Sequence, residues 1–151
     1  MDPRLNASDH VPAAYQALQS AEAAVRRSTL PLTTYELVKV RVSQINGCAL
    51  CVDMHAHDLK KQGESDERLW SLAAWREAPY YTDAERAALD LAEAATRIAD
   101  NPHGVPDEVW ERAAKHYDDE TLSALVFGIA MINAWNRLGV TLRLPAGHYR
   151  R

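Results

Sequence analysis

The chain has 151 residues, 47% hydrophobic and 25% charged, the size and make-up of one domain with one substantial core. A net charge of −4 with scattered lysine and arginine excludes the basic footprint of a nucleic-acid binder or of a protein held on anionic membranes. No apolar run approaches the roughly 20 residues that span a bilayer, and the opening Met1-Asp2-Pro3-Arg4 lacks the basic-then-apolar order of a secretory leader, so a cytoplasmic protein is expected.

Glycine is scarce (6 residues), and β-branched residues never alternate over a sustained run, which predicts an all-α, single-domain bundle of six to seven helices. Its core is expected over about residues 12–138, with extended tails at 1–10 and 141–151 that need a partner surface to be ordered. Pro12 opens a first helix, closed between Thr29 and Pro31. A second begins near Thr33, where Thr33-x-x-Glu36 has capping-box spacing, and stops at Asn46-Gly47. A third runs from about Cys48 to Gln62, with Gly63 taking the left-handed position beyond it. A short helix spans roughly Asp66 to Trp75, and Thr82-x-x-Glu85 caps a long one reaching about Asp100. Pro106 starts another in its first turn, and Asp118 to Leu138 forms the last, stopped by Gly139. The run from Ser123 to Leu138 is apolar on nearly all sides, so it is expected at the core or against a second subunit.

Both cysteines of the chain fall in one motif, Cys48-x-x-Cys51-x-x-x-His55. A helix turns about 100° per residue, so the three side chains share an arc of roughly 60°. A thiol near a helix N-terminus has its anion stabilised by unpaired amides, and an imidazole one turn on can take its proton. The three-residue spacing also allows the pair to close as a disulfide after oxidation. Two other readings use the same residues: small buried hydrophobes, and a zinc site formed with His57. On a continuous helix His57 points about 160° away from His55, so those four groups cannot enclose one ion, and His57 and Asp58 are expected at a solvated edge. Glu36 has two roles open to it, a cap at the head of its helix or a proton carrier.

Glu36, eleven residues, and then Cys48-x-x-Cys51-x-x-x-His55, with the phrases INGCALCVDMHAHDLKKQG, WREAPYYTDAERAALDLAEAATRI and INAWNRL, resemble the carboxymuconolactone decarboxylase superfamily, in its alkylhydroperoxidase D-like branch. The similarity covers about residues 33–138. It implies a helical subunit assembled as a homotrimer or homohexamer, with a cysteine pair that reduces hydroperoxides and is recycled by a dithiol donor of the dihydrolipoamide or thioredoxin kind. It further implies that Glu36 and His55 relay protons to the thiols. No cofactor and no metal are expected. Leu50 stands where peroxidase members carry a histidine.

On this reading Cys51, one turn before His55, is the peroxidatic thiol and Cys48 resolves it, while Cys48, nearer the helix N-terminus, is expected to be the more exposed for donor exchange. Other functions compatible with the motif are a disulfide oxidoreductase and a redox-sensing helical oligomer without turnover; lactone decarboxylation needs no thiol pair. Trp70, Trp75, Trp110 and Trp135 are expected mainly as core or interface anchors, Asn133 and Asn136 as setters of inter-helix register, and His116 and Tyr117 as a helix end with surface packing.

Overall fold

The computed structural model describes residues 2–147, and among these it contains only helices and connecting turns. The eight α-helices are α1 (Ala7–His10), α2 (Pro12–Arg26), α3 (Leu32–Asn46), α4 (Ala49–Lys61), α5 (Asp66–Ser71), α6 (Asp83–Thr96), α7 (Asp107–Ala114) and α8 (Asp119–Thr141). Short 3₁₀ turns at Leu72–Ala74 and Ile98–Asp100 replace the last part of two predicted helices.

Helix α3 is the centre of the bundle and packs against α4, α6 and α8. Its Tyr35, Leu37, Val38, Val40 and Val42 are buried, and so are four polar side chains, Thr34, Glu36, Lys39 and Ser43. A helix enclosed on all sides presents no polar stripe to water, so these polar groups need partners inside the protein. The predicted box at Thr33 does not form: α3 begins one residue earlier, at Leu32, with Pro31 before it and no side-chain cap. Glu36 therefore sits beyond the first turn, too far along to reach back to the helix head. The same spacing at Thr82 does close into a capping box, with Glu85 accepting from the Thr82 backbone N–H at 2.8 Å.

The α3–α4 turn is tight because Gly47 adopts a left-handed conformation (φ 70°). Cys48 is then the N-cap of α4, its sulfur accepting the Cys51 backbone N–H at 3.4 Å. Asn46 Nδ2 donates to Asn133 Oδ1 (3.0 Å) and Asn136 Oδ1 (2.9 Å), and Asn136 Nδ2 donates to Ser43 Oγ (3.0 Å). This amide cluster sets the register of α3 against α8. Further along, α8 passes so close to Tyr35 that a Cβ on Gly128 would lie 2.6 Å from the ring.

Several predicted boundaries change. Pro106 is the N-cap of α7 and lies outside its first turn. Gly139 does not stop α8, which continues to Thr141. The N-terminal segment is not waiting for a partner surface: residues 7–10 form α1, the Arg4 backbone N–H donates to Leu142 O (2.9 Å), and its guanidinium donates to Thr141 O (3.1 Å). That places a cation on the negative end of the α8 dipole. The chain after α8 also turns back on the protein, with Leu144 N–H donating to Gly139 O (2.9 Å) and Gly147 N–H to Asp53 Oδ2 (3.0 Å). The expected tail over 148–151 lies outside the described residues.

Trp75 is buried and donates to Glu93 Oε1 at 2.9 Å, whereas Trp70 and Trp110 are exposed. Tyr117 is a core residue, its hydroxyl donating to Ala84 O at 2.7 Å, and does not belong to the surface as expected. Helix α8 is not covered all round: Val126 and Phe127 are open, Phe127 at 64% exposure. No helix among the described residues is long and apolar enough to cross a membrane.

Candidate active site

Cys48 and Cys51 are joined as a disulfide with their Cα atoms 5.3 Å apart, so the structure describes the oxidised pair. Both sulfur-bearing residues are buried, and they face different neighbours. Cys51 lines a cavity of about 620 Å³ together with His55, whereas Cys48 is not part of that wall. Cys48 instead lies under α8, where a Cβ on Gly139 would come within 2.9 Å of its sulfur and 3.7 Å of that of Cys51. The sequence expectation of a more exposed Cys48 is overturned: the close approach of α8 closes it off. Gly139, read from the sequence as a helix stop, is a site residue whose missing side chain makes room for the disulfide.

His55, one turn after Cys51 on α4, has its Nδ1 3.0 Å from Glu36 Oε2 on α3. Glu36 is wholly buried, and its other oxygen is ion-paired with Arg26 Nη1 of α2 (2.5 Å) and Lys39 Nζ (2.8 Å). Lys39, itself 1% exposed, is shared with Glu22 Oε1 at 3.0 Å, and Glu22 Oε2 accepts from the Tyr35 hydroxyl at 2.6 Å. Burial alone would push the Glu36 carboxyl up, but the His55 hydrogen bond and the Lys39 charge outweigh it and hold the group down at about 2. Burial, followed by the Glu22 carboxylate, pushes the Tyr35 hydroxyl up, so it remains a donor at neutral pH.

An ionised Glu36 can only accept, so His55 Nδ1 is the donor in this bond, and Nε2 is the ring nitrogen left to exchange a proton elsewhere. The cap alternative for Glu36 is therefore excluded by its position, and its carboxylate is turned wholly inward. Asp58 also departs from expectation, since it lines the cavity with Oδ2 3.9 Å from His55 Nδ1, while His57 stays exposed and bonds Asp53 O at 2.8 Å. Glu36, His55 and Asp58 bring three ligand-type atoms within 4.8 Å. The Glu36 oxygens are already taken by two cations and an imidazole, so this trio is satisfied as an ion-pair cluster.

The cavity also has apolar lining, with Leu50, Met54, Leu138 and Leu142 among its members, and Trp135 lies in it edge-on to Tyr15 with ring centroids 5.2 Å apart. Leu5, Asn6, Ala7 and Ser8 of the N-terminal segment form part of the wall, held in place by the Arg4 bonds to the end of α8. Sequence reasoning missed Arg26, Lys39, Glu22 and Tyr35. A lysine three residues after a glutamate, within the apolar run Leu37 to Val42, was the available signal for Lys39. Glu22 and Arg26 stand i, i+4 on α2, the pattern of an ordinary surface pair.

A family model described as "Carboxymuconolactone decarboxylase family" matches residues 10–94. The chain is 40% identical to the uncharacterized protein YdfG of Bacillus subtilis over 94% of this chain and 95% of that one. It superposes on a crystal structure from Agrobacterium tumefaciens, described as a protein of unknown function and putative antioxidant defence protein AhpD, with a TM-score of 0.91, 36% identity, and coverage of 96% of this chain and 98% of that one. A peroxidase-related protein from Ralstonia eutropha, described as an alkylhydroperoxidase AhpD core, shares the fold at a TM-score of 0.79 and 21% identity, over 95% of this chain and 75% of that one. The chain belongs to the carboxymuconolactone decarboxylase family, in its alkylhydroperoxidase D-like branch.

Proposed function

We propose that the protein is a thiol-dependent peroxidase that reduces organic hydroperoxides with Cys51 and Cys48 and is recycled by a dithiol. The observation that carries this reading is the placing of Cys51 and His55 together in the wall of one cavity, with His55 held from behind by an ionised Glu36.

In the reduced protein His55 Nε2 takes the Cys51 thiol proton while Glu36 steadies the resulting imidazolium. The Cys51 thiolate attacks the outer peroxide oxygen, the O–O bond breaks, and the alcohol leaves with a proton returned by His55. Cys51 is then a sulfenic acid. The Cys48 thiolate attacks its sulfur, the S–O bond breaks, water departs after protonation of the hydroxide, and the disulfide seen here results. A dithiol returns two electrons and two protons, and the apolar wall fits the carbon body of an organic hydroperoxide.

The test is steady-state consumption of cumene hydroperoxide by the reduced full-length protein, with dihydrolipoamide, thioredoxin and glutathione compared as donors. Sustained turnover that is lost in both Cys51→Ser and Cys48→Ser supports the reading. A single oxidation without turnover under every donor refutes it and leaves the redox-sensing alternative. The exposed apolar side chains Val126 and Phe127 of α8 support self-association, and the family resemblance is what narrows the expected assembly to a homotrimer or homohexamer.

A further inference from the structure

Reduction of the disulfide requires a donor thiolate to attack one of two sulfurs, and the two differ in their surroundings. Cys51 contributes to the wall of the 620 Å³ cavity, whereas Cys48 does not, although the two are buried to nearly the same degree. The backbone of α8 at Gly139, itself at the cavity edge, lies closer over Cys48 than over Cys51: a methyl group there would come within 2.9 Å of the Cys48 sulfur and 3.7 Å of the Cys51 sulfur. A donor approaching from that side meets a helix.

The difference extends to the leaving group. Cys48 is the N-cap of the 13-residue helix α4, and its sulfur accepts the Cys51 backbone N–H at 3.4 Å. Charge released on Cys48 is therefore met at once by an amide and by the positive end of the helix dipole. Thiol–disulfide exchange is faster when the departing sulfur is the better-stabilised thiolate, which favours attack on Cys51 and departure of Cys48.

We infer that the reductant attacks Cys51, not Cys48, and reaches it through the same cavity that receives the peroxide. This inference rests on the peroxidase reading for its second substrate but concerns only the disulfide and its surroundings. The first donor thiolate forms a bond to Cys51 Sγ as the S–S bond breaks, and the electron pair goes to Cys48 Sγ. A second donor thiolate then attacks the donor sulfur of that mixed disulfide and expels the Cys51 thiolate. The oxidised donor leaves as a disulfide, and both cysteines take up protons. In both halves of the cycle Cys51 meets the external reagent, and Cys48 reacts only with its neighbour.

The inference is tested on the oxidised full-length protein with a monothiol, 2-mercaptoethanol, added for short times and quenched with N-ethylmaleimide. Fragmentation of the peptide holding both cysteines locates each adduct. The expected pattern is mercaptoethanol on Cys51 and maleimide on Cys48, in at least about tenfold excess over the reverse. A parallel variant, Ala23→Phe, places a ring into the cavity from the wall formed by α2 and is expected to slow adduct formation by about tenfold, because access governs exchange. Mercaptoethanol mainly on Cys48, or an unchanged rate in Ala23→Phe, overturns the inference. The outcomes separate from those of the peroxidase assay: turnover of peroxide with the adduct on Cys48 defeats only the inference, and an adduct on Cys51 without peroxide turnover defeats only the peroxidase reading.

Discussion

Replacing Glu36 by glutamine changes one atom of the side chain and forces a choice on its neighbours. The wild-type carboxylate accepts on both oxygens, from Arg26 and Lys39 on one and from His55 on the other. An amide has only one acceptor, and the two cations, 2.5 and 2.8 Å away, claim it. The NH₂ group then faces His55 Nδ1, which must become an acceptor, so the ring proton moves to Nε2 and the lone pair needed for the Cys51 proton is lost. A wrong tautomer with intact geometry costs a general base about 10²- to 10⁴-fold in rate. Stability falls as well: breaking a buried ion pair costs about 3–5 kcal/mol, but Glu22 still holds Lys39 at 3.0 Å, so the lower part of that range is expected. At about 2–4 °C per kcal/mol for a chain of this length, the midpoint of thermal unfolding is expected to fall by roughly 6–12 °C. Initial rates of peroxide consumption across pH, with melts followed by circular dichroism, measure both. Wild-type turnover with an unaltered pH profile would remove Glu36 from the relay, whatever happened to the melt.

His55→Ala is expected to raise the apparent pKa of the reactive thiol and slow peroxide reduction by about 100-fold, read from the pH dependence of Cys51 alkylation and of turnover. Because the Glu36 carboxyl is held at about 2 against an ordinary 4.5, its stabilisation is complete above about pH 4.5 and is lost as pH falls through about 2. Glu36→Gln is therefore expected to flatten the acid limb of a denaturation series over that window, and identical limbs would contradict the assignment. For Gly139→Ala, the gain in helix propensity of about 1 kcal/mol opposes an overpacking cost of about 1–3 kcal/mol, and a 2.9 Å contact with a sulfur fixed in a disulfide makes the cost prevail. The oxidised variant is expected to melt lower than wild type, and an equal or higher melt would mean that α8 moves aside freely. Phe127→Glu is expected to reduce the assembly to a smaller species in light scattering behind a sizing column, with helicity retained. A wild-type protein that runs as a single chain at all concentrations would show that this strip needs no cover.

The parts of the site that follow from local periodicity could be read along the chain. Cys51 and His55 stand four residues apart on α4, and that helix alone determines their common face, while Cys48 is the extended residue just before it and is linked to Cys51 by the three-residue spacing. The residues alone leave Glu36 open between cap and proton carrier, and only the family resemblance favours the carrier, because its meeting with His55 depends on how α3 packs against α4. Its apparent cap spacing misleads for a local reason, the start of α3 at Leu32, while the same spacing at Thr82 succeeds because Asp83 is the first helical residue there. Glu22 and Arg26 are invisible as site residues because ion pairs between helices have no sequence period, whereas Lys39 leaves only the weak signal of its place three residues after Glu36. Gly139 shows a further limit: a glycine near the end of an apolar run reads as a stop, and only the approach of two sulfurs reveals why a side chain is absent.

The contact between Gly128 and Tyr35 ties a remote position to the relay. The ring that α8 presses on at Gly128 carries the hydroxyl that holds Glu22, and Glu22 in turn holds Lys39 beside Glu36. Any side chain at 128 must displace the ring, and the displacement passes down three polar contacts to the carboxylate behind His55. Positions 35 and 128 are thus expected to change together: a larger residue at 128 requires a smaller one than tyrosine at 35 and another anchor for Glu22.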